Sequence, residues 1–201
     1  MRLVKTKDNS YTFFSEKYNE CYHSLSGAFD EALKKFVIAS ELKDGERVLD
    51  VCFGLGYNTY IAVQYAKNLQ VVALEKHQDA LDALQMLEIE GFWFIQELAD
   101  KGEYKDGCDL KLIMGDATET IDKIPGKFDV IFHDPFSPSK NPELWTEKFF
   151  TKLYKLLKRK GRLVTYSCAR EVRDNLKKAG FVVEDVDPVG RRGPSTLARK
   201  L

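Results

Sequence analysis

The sequence lacks the features that would place a chain in a membrane, in an oxidising compartment or around a structural metal. Its cysteines, Cys21, Cys52, Cys108 and Cys168, form no C-x-x-C pair and share no metal-ligand spacing with the three histidines. No apolar run approaches the roughly 20 residues that a membrane-spanning helix needs, and no signal-peptide pattern is present. These absences predict a cytoplasmic protein that has reduced cysteines and binds no metal.

The chain also lacks a net charge, but its charges are unevenly distributed. It carries 31 Lys and Arg against 31 Asp and Glu in 201 residues. From Lys148 onward, however, fifteen basic residues face only five acidic ones. Such a segment indicates an anionic partner or a set of solvated helix faces, and the sequence favours neither.

Short apolar runs alternate with helical patterns through most of the chain. The runs are continuously apolar, as in strands that are covered on both faces. Because strand follows helix follows strand, we predict an α/β fold with a doubly wound, mostly parallel, seven-stranded Rossmann-like sheet and helices on both faces. The predicted strands are residues 46–53, 69–75, 110–116, 127–134, 161–167, 181–187 and 196–201.

The chain is long enough for one domain, which we predict to span residues 1–201. Residues 1–45 contain the amphipathic stretch GAFDEALKKFVIASEL and are predicted to be a helical segment. Residues 78–109 are too long for a simple crossover. We predict a helical insertion there, with the aromatic residues 92–94 on its buried side.

Three successive predicted strands end in residues that suit a nucleoside, and ligands of parallel sheets bind at such strand ends. Gly54 and Gly56, in DVCFGLGYN, allow a tight turn and a close approach to a ligand. This loop lacks the third glycine of a dinucleotide site and the G-K-[ST] of a P-loop. Glu75 could accept the ribose hydroxyls, and Asp116 the exocyclic amine of adenine. Each acid alone could be a helix cap or a surface charge, but together they predict S-adenosyl-L-methionine.

The fourth strand ends in HDPFSPSKNPELW, residues 133–145. Methylation of an amine requires an unprotonated nitrogen in line with the sulfonium methyl group. Asp134 could accept the N–H or the departing proton, and Phe136 could offer an aromatic face to a cation or a flipped base. The alternative is a rigid proline-rich turn in which the aspartate caps a helix.

The motifs DVCFGLGYN, ALEK, GDA and HDPF resemble those of class I S-adenosyl-L-methionine-dependent methyltransferases. YHSLSGAFDEAL, HDPFSPSKNPELWT and TYSCAREVRDNLKKAGF, with VGRRG behind them, resemble the methyltransferase domain of the tRNA 5-methylaminomethyl-2-thiouridine biosynthesis (MnmC-like) family. The resemblance covers nearly the whole chain. It departs at Pro135, where family members often carry glycine, and at Ser137, where alanine is common.

The resemblance implies an enzyme that converts the 5-aminomethyl group of the wobble uridine (position 34) of tRNA to 5-methylaminomethyl, with no metal and no flavin. Since the length leaves no room for an oxidase domain, we expect a separate enzyme to supply the aminomethyl precursor. The implied catalytic residues are Asp134 and Phe136, and Asp134 also borders the cofactor. The other implied cofactor-binding residues are Ser24, Gly27, Phe53, Gly54, Gly56, Asn58, Glu75, Lys76, Asp116 and Ala117, and the predicted tRNA contacts are Lys140, Arg191 and Arg192.

Several residues have a second interpretation. Ser24, Gly27 and Ala28 lie at a predicted helix start whose free N–H groups could hold the methionine carboxylate, or the side chains could simply cap the helix. Tyr22 and His23 could line the substrate mouth, although packed aromatic residues are the commoner case.

Three other functions stay open at this level. Cys168 could be the nucleophile of an RNA cytosine-C5 methyltransferase, because methylation of carbon needs covalent activation. The same nucleoside site could serve aminopropyl or methyl transfer to a small amine, or a binding module without catalysis. The basic C-terminal quarter and the KNPELW stretch favour tRNA as the substrate.

Overall fold

The computed structural model describes residues 1–188 and 194–201, so the predicted RNA contacts Arg191 and Arg192 lie outside it. A three-stranded antiparallel sheet comes first, formed by β1 (Arg2–Lys5), β2 (Tyr11–Ser15) and β3 (Glu20–Cys21). The prediction that residues 1–45 are helical is therefore wrong for this part. Asn9 and Asn19, with φ of 68° and 54°, lie in the two turns. Asparagine tolerates this conformation, which makes these turns possible.

The main sheet has eight strands in the order β10-β11-β9-β8-β4-β5-β7-β6, and its five central strands are parallel. The predicted α/β, mostly parallel fold is confirmed, but the count is eight because Glu103–Lys105 adds an antiparallel edge strand. The strands are β4 Arg47–Val51, β5 Gln70–Glu75, β6 Glu103–Lys105, β7 Asp109–Met114, β8 Phe128–His133, β9 Leu157–Thr165, β10 Val182–Val186 and β11 Ser195–Arg199.

Helices cover both faces of this sheet. Successive side chains of a strand point to opposite faces, so Val48 packs in one core and Leu49 in the other. The first core contains side chains of α1 to α4, and the second those of α5 to α7. The helices are α1 Ala28–Glu31, which continues as a π-helix over Ala32–Ile38, α2 Tyr57–Tyr65, α3 Gln78–Gln85, α4 Trp93–Lys101, α5 Ala117–Thr120, α6 Glu147–Leu156 and α7 Arg170–Lys178, with 3-10 turns at Ile121–Lys123 and Pro142–Trp145.

The predicted insertion between the second and third parallel strands contains α3 and α4, as expected, and also β6. Phe92 and Phe94 are buried, but Trp93 is 57% exposed, so the prediction of three buried aromatic residues is wrong for Trp93. Consecutive residues of a helix point about 100° apart, and a run of three cannot share one face. Within the described ranges, no helix is both long and apolar enough to cross a membrane.

Candidate functional site

A cavity of about 370 Å³ lies at the carboxyl ends of the central parallel strands. Because the sheet runs β7-β5-β4-β8, its lining residues Asp116, Glu75, Gly54 and Asp134 follow one another along one edge. Three strand intervals of about 4.8 Å span roughly 14 Å, which suits an elongated ligand. The four predicted strand-end residues are thus brought together in one row.

Glu75 is a buried carboxylate at the end of β5, 6% exposed. It accepts three backbone N–H groups: Oε2 from Gly54 at 2.8 Å, and Oε1 from Lys76 at 2.7 Å and from His77 at 2.8 Å. Burial raises its pKa, and these hydrogen bonds oppose the shift. Oε1 already accepts two of these bonds, but Oε2 can accept one more, so Glu75 both fixes the glycine loop and stays available to a hydroxyl in the cavity.

Asp116 is the N-cap of α5, and its side chain accepts from the Thr118 N–H at 2.9 Å. Its second oxygen accepts from Lys76 Nζ at 2.6 Å, and both residues line the cavity together with Ala117. Burial raises the pKa of Asp116, but the Lys76 and Thr118 hydrogen bonds outweigh it and lower the pKa to about 2. The two interpretations of Asp116, helix cap and ligand residue, are therefore compatible.

The glycine loop after β4 places its backbone against the cavity. Gly54 has φ of 56°, and a Cβ there would lie 3.2 Å from the Tyr22 ring. Gly56 has a different role, because a Cβ on it would meet Ile95 at 2.7 Å and Phe53 at 2.9 Å. Gly56 and Phe53 do not line the cavity and pack behind the loop, so their contact with a cofactor stays a prediction.

Asp134 follows β8 and faces the cavity. Its backbone N–H donates to the Val51 carbonyl at 3.1 Å, and Asn58 Nδ2 donates to its Oδ2 at 2.8 Å. Asn58 thus contacts Asp134 and does not line the cavity itself. Burial and then the negative charge of Glu31 raise the pKa of Asp134 to about 7. A carboxylate in this state can give up or take a proton near neutrality.

The loop after Asp134 is held against the N-terminal sheet. The Phe136 ring stacks on Tyr18 with 4.4 Å between centroids and lies 4.9 Å from the Tyr22 ring. Ser137 hydrogen-bonds to Glu20 through both its N–H and its hydroxyl. Trp145 is buried and donates from Nε1 to the Phe136 carbonyl at 2.9 Å. The N-terminal strands therefore build one wall of the cavity mouth.

Sequence reasoning missed a buried charged cluster at the Asp134 end of the cavity. Lys35 Nζ donates to Glu31 Oε1 at 2.6 Å, and both side chains line the cavity. Glu31 Oε2 accepts the Ser24 N–H at 2.8 Å and lies 3.7 Å from His23 Nδ1. Burial raises the pKa of Glu31, but the His23 and Lys35 contacts outweigh it and lower the pKa to about 2. The available signal, a Glu and a Lys four residues apart on the predicted helix, usually marks an exposed face.

Two N–H groups of the helix start that follows are already bonded to side chains. The Ala28 N–H donates to Ser10 Oγ at 2.9 Å, and the Asp30 N–H donates to Asp8 Oδ2 at 3.1 Å. A Cβ on Gly27 would lie 2.2 Å from the Asp8 carboxylate, so this glycine faces Asp8. The Ala28 and Asp30 amides thus already have partners in the chain, which argues against the prediction that this helix start holds a carboxylate. Ser24 lines the cavity, as do Tyr22 and His23.

Two other predicted residues lie away from the cavity lining. Cys168 is half-buried and does not border the cavity, and Lys140 is exposed on the loop beyond Ser137. Four cations of the basic C-terminal quarter form ion pairs with acids that precede Lys148 in the chain. These ion pairs are Lys152–Asp122, Lys158–Asp129, Arg162–Glu46 and Arg199–Glu41.

Among residues 1–188 and 194–201, no group of three or more His, Cys, Asp or Glu side chains could hold a metal ion. The cavity instead offers acids in a row, exposed backbone and a charged cluster at one end. This arrangement fits a ligand that has hydroxyl groups in its middle and an ionic group at its end.

Comparisons with known proteins agree with this geometry. Residues 85–201 match a family described as S-adenosyl-L-methionine-dependent methyltransferase. The tRNA 5-methylaminomethyl-2-thiouridine biosynthesis bifunctional protein MnmC of Azoarcus sp. (strain BH72) is 29% identical over 94% of this chain and 34% of its own length. A Methanocaldococcus jannaschii protein described as uncharacterized is 36% identical over 98% of this chain and 59% of its own length. The chain therefore spans about a third to three fifths of these curated relatives.

Solved structures show the same relationship. The crystal structure of MnmC2 from Aquifex aeolicus superimposes with a TM-score of 0.82 and 34% identity, over 98% of this chain and 69% of that chain. A spermidine synthase in complex with the transition state analogue AdoDATO has a TM-score of 0.65 at 16% identity, over 99% and 74% of the two chains. At that identity the second likeness shows a shared fold.

Proposed function

We propose a function that follows from the family to which this chain belongs, the S-adenosyl-L-methionine-dependent methyltransferases of the MnmC type. The chain methylates the 5-aminomethyl nitrogen of the wobble uridine (position 34) of tRNA. S-adenosyl-L-methionine is its cofactor. The observation that carries the proposal is Asp134: a carboxylate held by Asn58 at the cavity edge, beside the aromatic residues Tyr18 and Phe136. The names of the curated relatives point to the same substrate.

The cavity lining fits the cofactor. Glu75 would accept a ribose hydroxyl through Oε2, Asp116 and Ala117 would border the adenine, and Gly54 lets the backbone approach between them. When bound, S-adenosyl-L-methionine supplies a methyl group on a positively charged sulfur. The protein contributes position, a partly enclosed cavity and a place for the proton that the amine loses.

Asp134 is the proposed proton acceptor. An amine that gains a methyl group must lose one proton, and Asp134 can take it because its pKa is raised to about 7 by burial and by Glu31. The Asn58 hydrogen bond fixes the orientation of the carboxylate. Phe136 forms the neighbouring wall, and Tyr18 and Trp145 hold its ring and its carbonyl in place.

Two features bear on the alternatives. A cysteine that attacks a cytosine must reach the cavity, and Cys168 does not line it, which argues against methylation of carbon. We also propose that a separate enzyme supplies the aminomethyl precursor.

Transfer of a labelled methyl group to tRNA tests the proposal. The protein is incubated with methyl-labelled S-adenosyl-L-methionine and tRNA from cells that lack the wobble methylation, and the nucleosides are separated. Label in 5-methylaminomethyluridine, with or without the 2-thio group, is the expected result. Label in 5-methylcytidine, or no label in tRNA while the cofactor binds, would overturn it. Asp134→Asn serves as the catalytic control.

A further inference from the structure

The charged cluster of His23, Glu31 and Lys35 is not needed to bind a nucleoside, yet it borders the cavity. Lys35 is only 2% exposed, and an ammonium group buried so deeply is costly unless its donors are satisfied. One of its three N–H groups bonds to Glu31. The other two have no acceptor in the part of the chain that the structure describes. This ammonium therefore has capacity for an anion from the cavity.

The cluster has a second incompletely satisfied member. Both ring nitrogens of the buried His23 lack hydrogen-bond partners among the described residues. Glu31, in contrast, is an ionised carboxylate with lone pairs left after its bonds to Lys35 and to the Ser24 N–H. A buried cation with spare donors beside a buried anion with spare acceptors is complementary to a zwitterion.

The position of the cluster agrees with this chemistry. The pKa of Asp134 is raised by the negative charge of Glu31, so the cluster is near Asp134. Asp134 lies three strands away from Asp116 along the cavity edge. A nucleoside at Asp116 and Glu75 would thus direct the far end of the ligand toward Glu31 and Lys35. Lys35 also lies within the π-helix Ala32–Ile38, and π-helical turns are frequent at functional sites.

We propose that Lys35 binds the carboxylate, and Glu31 the ammonium group, of the methionine part of S-adenosyl-L-methionine. Lys35 is then the residue that selects this cofactor over its decarboxylated form, which has the same nucleoside, sulfonium and amine but no carboxylate. The inference rests on the proposed cofactor site but not on tRNA as the substrate. It separates methyl transfer from aminopropyl transfer, because the decarboxylated form is the donor of aminopropyl groups.

Calorimetry with three ligands tests the selection. They are S-adenosyl-L-methionine, its decarboxylated form and 5′-methylthioadenosine, which lacks the amino-acid end altogether. We expect the wild-type protein to bind the carboxylated cofactor at least tenfold more tightly than the decarboxylated one. In Lys35→Met this ratio should fall to about one, while the affinity for 5′-methylthioadenosine stays within about twofold of the wild type. No tRNA is involved, so the result is independent of the proposed RNA substrate.

A matched variant guards against misfolding, since Lys35→Met leaves Glu31 buried without its partner. Glu31→Gln combined with Lys35→Met removes both charges and should also lose the discrimination. Equal binding of the two cofactors by the wild-type protein would overturn the proposal, and so would a preserved ratio in either variant. Lys35→Arg, which keeps the positive charge, should retain most of the wild-type ratio if it binds 5′-methylthioadenosine normally.

Discussion

At the scale of single residues, Asp134 should control the chemical step and its pH dependence. With a pKa raised to about 7, it is half protonated near neutrality, and only the ionised form accepts a proton. We predict that kcat rises as pH increases through about 7. Asp134→Asn should lower kcat on the order of 10²-fold while cofactor affinity stays nearly unchanged. Steady-state kinetics at saturating cofactor measures this, and an unchanged kcat across the pH range would make Asp134 a structural residue.

Asp50 offers a second residue-scale prediction, this time for stability. It is fully buried on β4, burial raises its pKa from 3.8 to about 7, and the Thr59 hydroxyl bonds to it at 2.7 Å. A folded-state pKa above the unfolded value gives stability that is present at low pH and is lost as pH rises through about 7. Asp50→Asn keeps an acceptor for Thr59 but cannot ionise.

Relative to Asp50→Asn, the wild-type protein should therefore lose about 2 kcal/mol of unfolding free energy between about pH 5.5 and about pH 8. Urea unfolding at both pH values measures the difference. Asp100→Asn, at an exposed position, is the matched control and should show no such change. A constant difference between wild type and Asp50→Asn would show that Asp50 stays in one protonation state over this range.

The residue scale also shows what the sequence could and could not predict. Glu75, Asp116 and Asp134 were predictable because the ends of parallel strands meet at one edge. Glu31 and Lys35 were not, because a Glu and a Lys four residues apart usually mark an exposed helix face. Only the packing of that helix, with Phe36 beside them in the core, shows that this pair is buried.

At the scale of elements, β11 is the strand whose loss should lower the stability of the main sheet most. It pairs with β9 on one side and β10 on the other, and its residues Leu197 and Ala198 are buried. A chain that stops at Pro194 leaves β10 without a neighbour and β9 with an open edge. We predict that this truncated chain loses its cooperative thermal unfolding transition, which circular dichroism measures. Deletion of Leu201 alone, which is 77% exposed, should leave the transition almost unchanged; equal midpoints for both truncations would contradict the prediction.

The parallel core was predictable from its apolar runs, whereas the N-terminal sheet was not. Its strands have two to five residues, too few for the alternation of a half-buried strand to stand out. Asn9 and Asn19 were the available signals, as turn residues flanked by short β-prone stretches. The partner of these strands, the loop at Phe136, is more than a hundred residues away, a contact that local patterns cannot indicate.

At the scale of the whole molecule, the predicted tRNA surface depends on where cations lie relative to the cavity. Lys140 is exposed on the loop that carries Phe136, whereas Arg159 is exposed near the start of β9, at the opposite edge of the sheet. We predict that Lys140→Glu raises KM for tRNA. The slope of log KM against log salt concentration should fall by about the value of one phosphate contact. Arg191→Glu and Arg192→Glu should act in the same way if they contact phosphates.

Arg159→Glu is the matched control and should leave KM for tRNA within about twofold of the wild type. Turnover of a minimal nucleoside substrate should be unchanged in every one of these variants. If Lys140→Glu and Arg159→Glu weaken tRNA binding equally, the RNA footprint is not centred on the cavity. If neither changes KM, Lys140 is a solvated surface charge.

The position of β11 between β9 and β10 also has a consequence for biosynthesis. On the ribosome, β4 to β9 emerge early and can already form the parallel core, but β10 has no place in the sheet until residues 195–199 have left the exit tunnel. Until then β9 presents an unpaired edge, which is the kind of surface that pairs with other nascent chains. The yield of native protein should therefore depend on how long this state lasts before residues 195–199 leave the exit tunnel.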